Sequence, residues 1–229
     1  MPDLTIKLKQ RFGIGKVYHW SGYVDDKREV NIVKIIEDAA KLNLLLPSYL
    51  CTIAIGEGFG LWINDNYGPN TVNVDKSIDG FEYLGLDHFG ADFNRTQKHL
   101  PKDYNRGDEY QDSKAINEHG QEVNSAKFKN VKSGIQALSA TLALRKQLFY
   151  THGRQFGYIK TLGKPDTEQE AFWIYVYFQG EGRAKRYLQS NSGFDFMKKA
   201  PNFMLQVNRL ARERVAAWRY LQSKNIFTS

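Results

Sequence analysis

A single cysteine, Cys51, stands in the 229 residues, so no internal disulfide can form. Its place in an apolar run predicts a small buried hydrophobe rather than a reactive thiol. No stretch approaches the roughly 18 consecutive apolar residues that a membrane-spanning helix needs. The five histidines, at 19, 88, 99, 119 and 152, form neither an HExxH pair nor another metal-ligand spacing, and the expectation is no metal and no cofactor. The glycine clusters GEGFG and QGEGR follow no predicted strand and lack the spacing of a phosphate-cradling loop, which sets aside dinucleotide and P-loop chemistry. The opening MPDLTIKLKQRFGIGKVYHW has no apolar core of a secretory signal, so the expected product is soluble and cytoplasmic when made.

What is present is a chain with 41% hydrophobic residues, enough for one substantial core. Lys+Arg 32 against Asp+Glu 25 leaves a formal charge of +7, which favours polyanions: nucleic acid, acidic lipid surfaces or wall polymers. Arg183, Lys185, Arg186 and the arginines from 209 to 219 are spread around helices and mixed with acids, the pattern of a solvated face, so no nucleic-acid partner is expected.

Residues 1–25 read as an N-terminal arm, in which Leu4, Ile6 and Leu8 alternate as in a short strand. From 26 to 229 the pattern is one domain. Asp26 and Glu29 have capping-box spacing, and Ile32, Ile35, Ile36, Ala39 and Ala40 share one helical face up to about Leu46. Pro47 opens a second helix that buries Leu50, Cys51, Ala54 and Ile55 and ends at the glycines 56, 58 and 60. Residues 61–93 read as turns and short strands, the wall of a cleft. Residues 94–130 form a polar insertion with a small hairpin turning at His119-Gly120. A helix carrying Ile135, Leu138, Leu142 and Phe149 stops near Gly153; Asp166 with Gln169 opens AFWIYVYF, apolar nearly all round and therefore central. QGEG breaks that helix, RAKRYLQ begins another, and Pro201 precedes a last one with Val207, Leu210, Ala211, Trp218 and Leu221 inward and Arg209, Arg212 and Arg219 outward. The fold class is mainly α, an α+β arrangement with a small β-containing wall.

Within PSYLCTIAIGEGFG, Glu57 is a carboxylate among apolar residues and glycines. At the end of a hydrophobic helix, desolvation and the negative helix pole both raise a carboxyl pKa. A glutamic acid protonated near neutrality can donate to a glycosidic oxygen. Alternatively, Glu57 is a polar helix end facing water beside a glycine cap.

The order of four segments resembles the lysozyme-like soluble lytic transglycosylase and goose-type lysozyme group. Glu57-Gly58-Phe59 stands where the group has its E-S-x-F motif, with glycine for serine. Gly85-Leu86-Asp87-His88 stands where it has G-L-M-Q. NVKSGIQALSATLALRKQLF resembles its helix behind the glycan site, and Tyr177-Phe178-Gln179-Gly180-Glu181-Gly182 follows its A-Y-N-x-G-x-G frame. The likeness covers about residues 31 to 190. It implies a lysozyme-like helical domain, most simply a monomer, that cleaves the β-1,4 bond between N-acetylmuramic acid and N-acetylglucosamine in a peptidoglycan glycan strand. Glu57 would be the general acid, and Asp87, His88, Tyr177, Gln179 and Gly180 would bind substrate. Phe178 replaces the usual asparagine, so a contact through that amide is lost or passes to Gln179.

A second carboxylate stays open among Asp87, Asp92, Asp75 and Asp79, each of which also reads as a turn or loop residue. If Asp87 held a water across the ring, the reaction would be inverting hydrolysis. Without such a base, the resemblance lets Glu57 act twice and close the sugar to an anhydro product. Trp62, Tyr67, Phe81 and Tyr83 are sugar-stacking or simple packing residues. The other reading is a noncatalytic glycan-binding or structural module of a phage-like or secretion apparatus. Activity at the wall without a secretory signal leaves three routes: delivery by a phage-like or contractile injection apparatus, holin-assisted release, or excision of this chain from a longer one. A delivery apparatus or an immunity protein is then the further partner to look for, with action in the periplasm or at the cell wall.

Overall fold

The computed structural model describes residues 23–25, 28–30, 32–56, 89–116, 120–129, 131–223, 225 and 227. They are mainly helical, with two antiparallel hairpins. The first hairpin pairs β1, Tyr23–Asp25, with β2, Arg28–Val30, and Val24 faces Glu29. Glu29 is thus a strand residue and not the third position of a capping box, as its spacing predicts; the pairing of the two short strands takes its backbone first. Asp26 and the strand expected at Leu4, Ile6 and Leu8 lie outside the described residues.

Helix α1, Ile32–Leu42, buries Ile36, Ala39 and Ala40, the face its periodicity predicts. It stops four residues short of Leu46. Leu44 takes a left-handed φ of 52°, while Leu45 N–H bonds back to the Ala40 carbonyl at 3.0 Å. A proline disfavours helical backbone in the residue before it, so a helix continuous with Pro47 was excluded. Helix α2, Pro47–Gly56, opens on that proline and is buried from Ser48 to Ala54. Cys51 lies inside it, and burial pushes its thiol pKa well up.

Residues 89–93 are helical where turns and strands are expected, and the helix runs on into the polar insertion: α3, Phe89–Thr96, buries Phe89, Phe93 and Thr96, four and three apart on one face. The 3-10 turn Gln97–His99 follows. The insertion holds a far longer hairpin than its turn suggests, β3, Tyr110–Ile116, against β4, Glu122–Phe128, in register from Tyr110 opposite Phe128 to Ile116 opposite Glu122. Gly120 has φ 74°, as a tight reversal requires. The strands escape a hydrophobicity reading because their anchors are few: Tyr110 packs on Phe89, Phe93 and Phe128, and Phe128 on Phe89, which also meets Tyr104.

Helix α4, Val131–Gln155, runs through Gly153 rather than stopping there. A Cβ on Gly153 would lie 3.4 Å from the Phe194 ring, so the glycine admits that ring and the turn comes later, at Gly157 with φ 77°. Short α5, Tyr158–Leu162, leads to α6, Thr167–Phe178. Its capping box is complete: Asp166 accepts from Glu168 and Gln169 N–H, and the Gln169 side chain accepts from Asp166 N–H at 3.0 Å. Every residue from Ala171 to Tyr177 is buried, which makes α6 the central helix that its all-round apolarity predicts.

Helix α7, Glu181–Asn191, begins directly after the break at Gly180. After Pro201 a 3-10 turn, Asn202–Met204, enters α8, Leu205–Gln222, with Ala211, Trp218 and Leu221 buried. Buried polar groups are tied across elements: Tyr49 Oη donates to Ala171 O at 2.5 Å, Trp218 Nε1 to Ser48 Oγ at 3.0 Å, and Asn43 Nδ2 to Ser139 Oγ at 2.9 Å. Arg214, on the inner face of α8, lies over the Tyr175 ring at 5.5 Å, an inward arginine that sequence periodicity misses.

Candidate functional site

The carboxyl end of α6, the glycine turn after it and the start of α7 meet the last turns of α4 and the helix α3. Tyr177 is fully buried in the last turn of α6 because that helix is wrapped on all sides. Its Oη is 2.9 Å from His152 Nδ1, a hydrogen bond whose direction follows the imidazole tautomer, and the two rings stack 5.6 Å apart. Burial, then the nearby Lys185 ammonium, holds the His152 pKa below its ordinary 6.5, against a smaller upward pull from Glu181. Burial, then the charge of Glu181, pushes the Tyr177 phenol up.

Gln179 ends α6 with an exposed side chain, and its N–H bonds to Tyr175 O at 3.1 Å. Gly180 has φ 138°, a conformation that an L side chain would strain, and its carbonyl accepts from Ala184 N–H at 3.0 Å to start α7. Glu181 therefore sits in the first turn of α7, where the helix pole favours an acid.

From Glu181 a relay of charge runs across three helices. Arg95 of α3 donates through Nη2 to Glu181 Oε2 at 2.9 Å and through Nη1 to Asp92 Oδ1 at 3.0 Å. Arg145 of α4 donates through Nη2 to Asp92 Oδ2 at 2.5 Å. Hydrogen bonding to Glu181 raises the Arg95 pKa despite some desolvation. Asp92, a carboxylate of the expected cleft wall, thus accepts from a guanidinium at each oxygen and braces α3 against α4.

Of the residues expected to form the site, Tyr177, Gln179 and Gly180 fall within four positions, from the last turn of α6 to the turn that follows it. Glu57, Asp87 and His88 lie outside the described residues, as do Asp75, Asp79, Trp62, Tyr67, Phe81 and Tyr83. Sequence reasoning missed His152, Arg95 and Arg145 as parts of the site. The signal was there in α4: Arg145 and His152, seven residues apart, interrupt the apolar face that carries Leu142 and Phe149. A polar group placed on a buried face needs a partner, and each finds one on another helix.

What the described residues offer is a set of charged and polar groups paired with one another beside a buried tyrosine–histidine pair. Among the described residues no cluster of three or more His, Cys, Asp or Glu side chains could hold a metal ion. Among them, too, no helix is long and apolar enough to cross a membrane. The chain matches no family model, no curated protein and no solved structure.

Proposed function

We propose that this protein cleaves peptidoglycan glycan strands at the β-1,4 bond between N-acetylmuramic acid and N-acetylglucosamine, with Glu57 as general acid. The observation that carries this reading is that α2, buried from Ser48 to Ala54, leads directly along the chain into Glu57. A carboxyl following such a helix is subject to desolvation and to the negative helix pole, both of which favour the protonated acid that glycosidic cleavage needs. The tyrosine of the resemblance, Tyr177, is fully buried with its Oη on His152, which in this scheme makes it a support for the turn at Gln179 and Gly180 rather than a group that touches the sugar. In this scheme Gln179 and Gly180 present the turn to the glycan, while Asp87 and His88 supply the opposite wall.

Two routes share this acid. With a carboxylate such as Asp87 activating water, the product ends are reducing; without one, Glu57 takes back the proton of the sugar's own C6 hydroxyl as that oxygen closes on C1, and the ends are anhydro. Mass spectrometry of purified peptidoglycan after incubation separates the two. Wild-type protein is expected to release muropeptides, and Glu57→Gln to reduce release by at least about a hundredfold, the scale of a lost general acid. Release at the wild-type rate by Glu57→Gln removes Glu57 from the acid role.

One observation favours a noncatalytic glycan-binding module instead. Phe178, half-buried with its ring 6.2 Å from Tyr175, occupies the place of the asparagine in the resembling group and brings no amide. Saturable binding to insoluble peptidoglycan with no muropeptide release would establish that reading.

A further inference from the structure

Opposite in character to the tyrosine–histidine pair is the segment from Phe194 to Gln206, which follows α7 and enters the first turn of α8. Its anchors are deep: Phe194 is buried and accepts at its carbonyl from Trp173 Nε1 at 3.0 Å, Ala200 and Met204 are buried, and the Phe196 ring stacks on Phe172 at 4.8 Å. Between these anchors and directly after the last of them, three large apolar side chains are exposed: Met197 at 68%, Phe203 at 50% and Leu205 at 52%. A chain pinned at four points presents them as a fixed feature of the surface. Isolated exposed apolar residues are ordinary; here three stand within nine positions of one stretch pinned to the core, and we take them together as one apolar patch.

The surroundings of this patch are cationic. Lys198 and Lys199 lie between Met197 and Phe203 and are exposed. Arg186 of α7 lies over the Phe203 ring at 5.4 Å, and Arg209 follows Leu205 one turn along α8. Arg212 is tied to the carbonyls of Phe196 and Met197 at 3.2 and 3.1 Å, which holds the base of the segment to α8. The acids nearby are fewer than the bases: Asp195 keeps its charge while accepting from Met197 N–H, and Glu213 pairs with Arg209, which leaves Lys198, Lys199 and Arg186 as the cations beside the apolar side chains. Apolar side chains projecting among lysines and arginines are the composition that partitions into the headgroup region of an anionic bilayer, the cations meeting lipid phosphates and the apolar groups reaching the acyl boundary.

We infer that the Met197–Phe203–Leu205 patch, with Lys198, Lys199 and Arg186, docks the protein on the surface of an anionic phospholipid membrane. The contact is peripheral. It needs no spanning helix and does not depend on the wall-cleavage reading, since vesicles contain no glycan strand. Charge complementarity selects this occupant over a neutral protein surface or a second copy of the same basic chain.

The test is flotation of the full-length protein with phosphatidylcholine vesicles containing phosphatidylglycerol, against phosphatidylcholine alone. The wild type is expected to float only with the anionic vesicles. Lys198→Glu with Lys199→Glu should weaken partitioning by about tenfold or more, because each lysine near an anionic surface adds a multiplicative gain. Met197→Ser, Phe203→Ser and Leu205→Ser together should weaken it comparably while leaving the net charge unchanged. Met197→Cys carrying an environment-sensitive fluorophore keeps the test decisive if either multiple variant fails to fold; Cys51 is buried and stays unlabelled. Its emission should shift to the blue on anionic vesicles. Flotation unaffected by both variant sets, no flotation at all, no blue shift, or wild-type self-association abolished by the serine variant would each overturn the inference.

Discussion

Two parts of the buried core are built on different plans. Around α6 the core is dense and continuous in sequence, with seven successive buried residues and Trp173 set among Phe149, Phe172 and Tyr187. Under the β3–β4 hairpin it consists of five rings, Phe89, Phe93, Tyr104, Tyr110 and Phe128, drawn from four separate stretches of polar sequence. Each aromatic ring buries about 150–250 Å², so five suffice to anchor a hairpin whose remaining residues stay polar. A low average hydrophobicity therefore does not mean an unstructured segment when the few apolar residues are large and converge.

The first way to test this contrast is to remove the centre of the dense part. Trp173→Ala deletes a fully buried ring and its hydrogen bond to Phe194 O, and should cost about 3–5 kcal/mol of global stability, measured by denaturant unfolding. Phe89→Ala, at the hub of the five rings, should cost about 3 kcal/mol. Its effect should concentrate in the hairpin, with amide-exchange protection lost in β3 and β4 before α6. Equal loss in both places would show that the two parts unfold as one unit.

Asp166→Ala removes the cap that starts α6 and should cost about 1 kcal/mol, read as a lower unfolding midpoint with an unchanged slope. A pH-confined effect is expected from His152, whose folded pKa lies below 6.5. Between the two values the unfolded chain binds more protons than the folded one. The stability that neutral His152 contributes is thus fully present above about pH 6.5 and lost as pH falls through the folded pKa. In His152→Gln that part of the slope should vanish; an unaltered slope would assign it elsewhere. The smallest effect is expected from Arg219→Ala, whose exposed pairing with Glu168 is worth at most about 1 kcal/mol and should weaken further in salt.

The helical frame could be read in the chain because its signals are local. Pro47 opens α2, Asp166 and Gln169 close a capping box, and the unbroken apolar run at 171–177 marks the helix that must be surrounded. Cys51 was placed in the core on the same grounds. Of the site, Tyr177, Gln179 and Gly180 were picked out by a resemblance in segment order, and the structure places them at the end of α6. The His152 bond to Tyr177 and the Arg145–Asp92–Arg95–Glu181 relay were not read, because their members lie up to 89 positions apart and no local rule relates them.

The sequence by itself determined where α2 and α6 begin and which face α1 buries, since capping, proline restriction and apolar periodicity act over a few residues. Only the tertiary structure decided that a polar insertion becomes a seven-residue hairpin, that α4 passes through Gly153, and that Asp92 is an ionic brace. Those outcomes depend on which distant groups meet once the core closes, and a buried ring or charge takes its place from partners that the neighbouring residues do not specify.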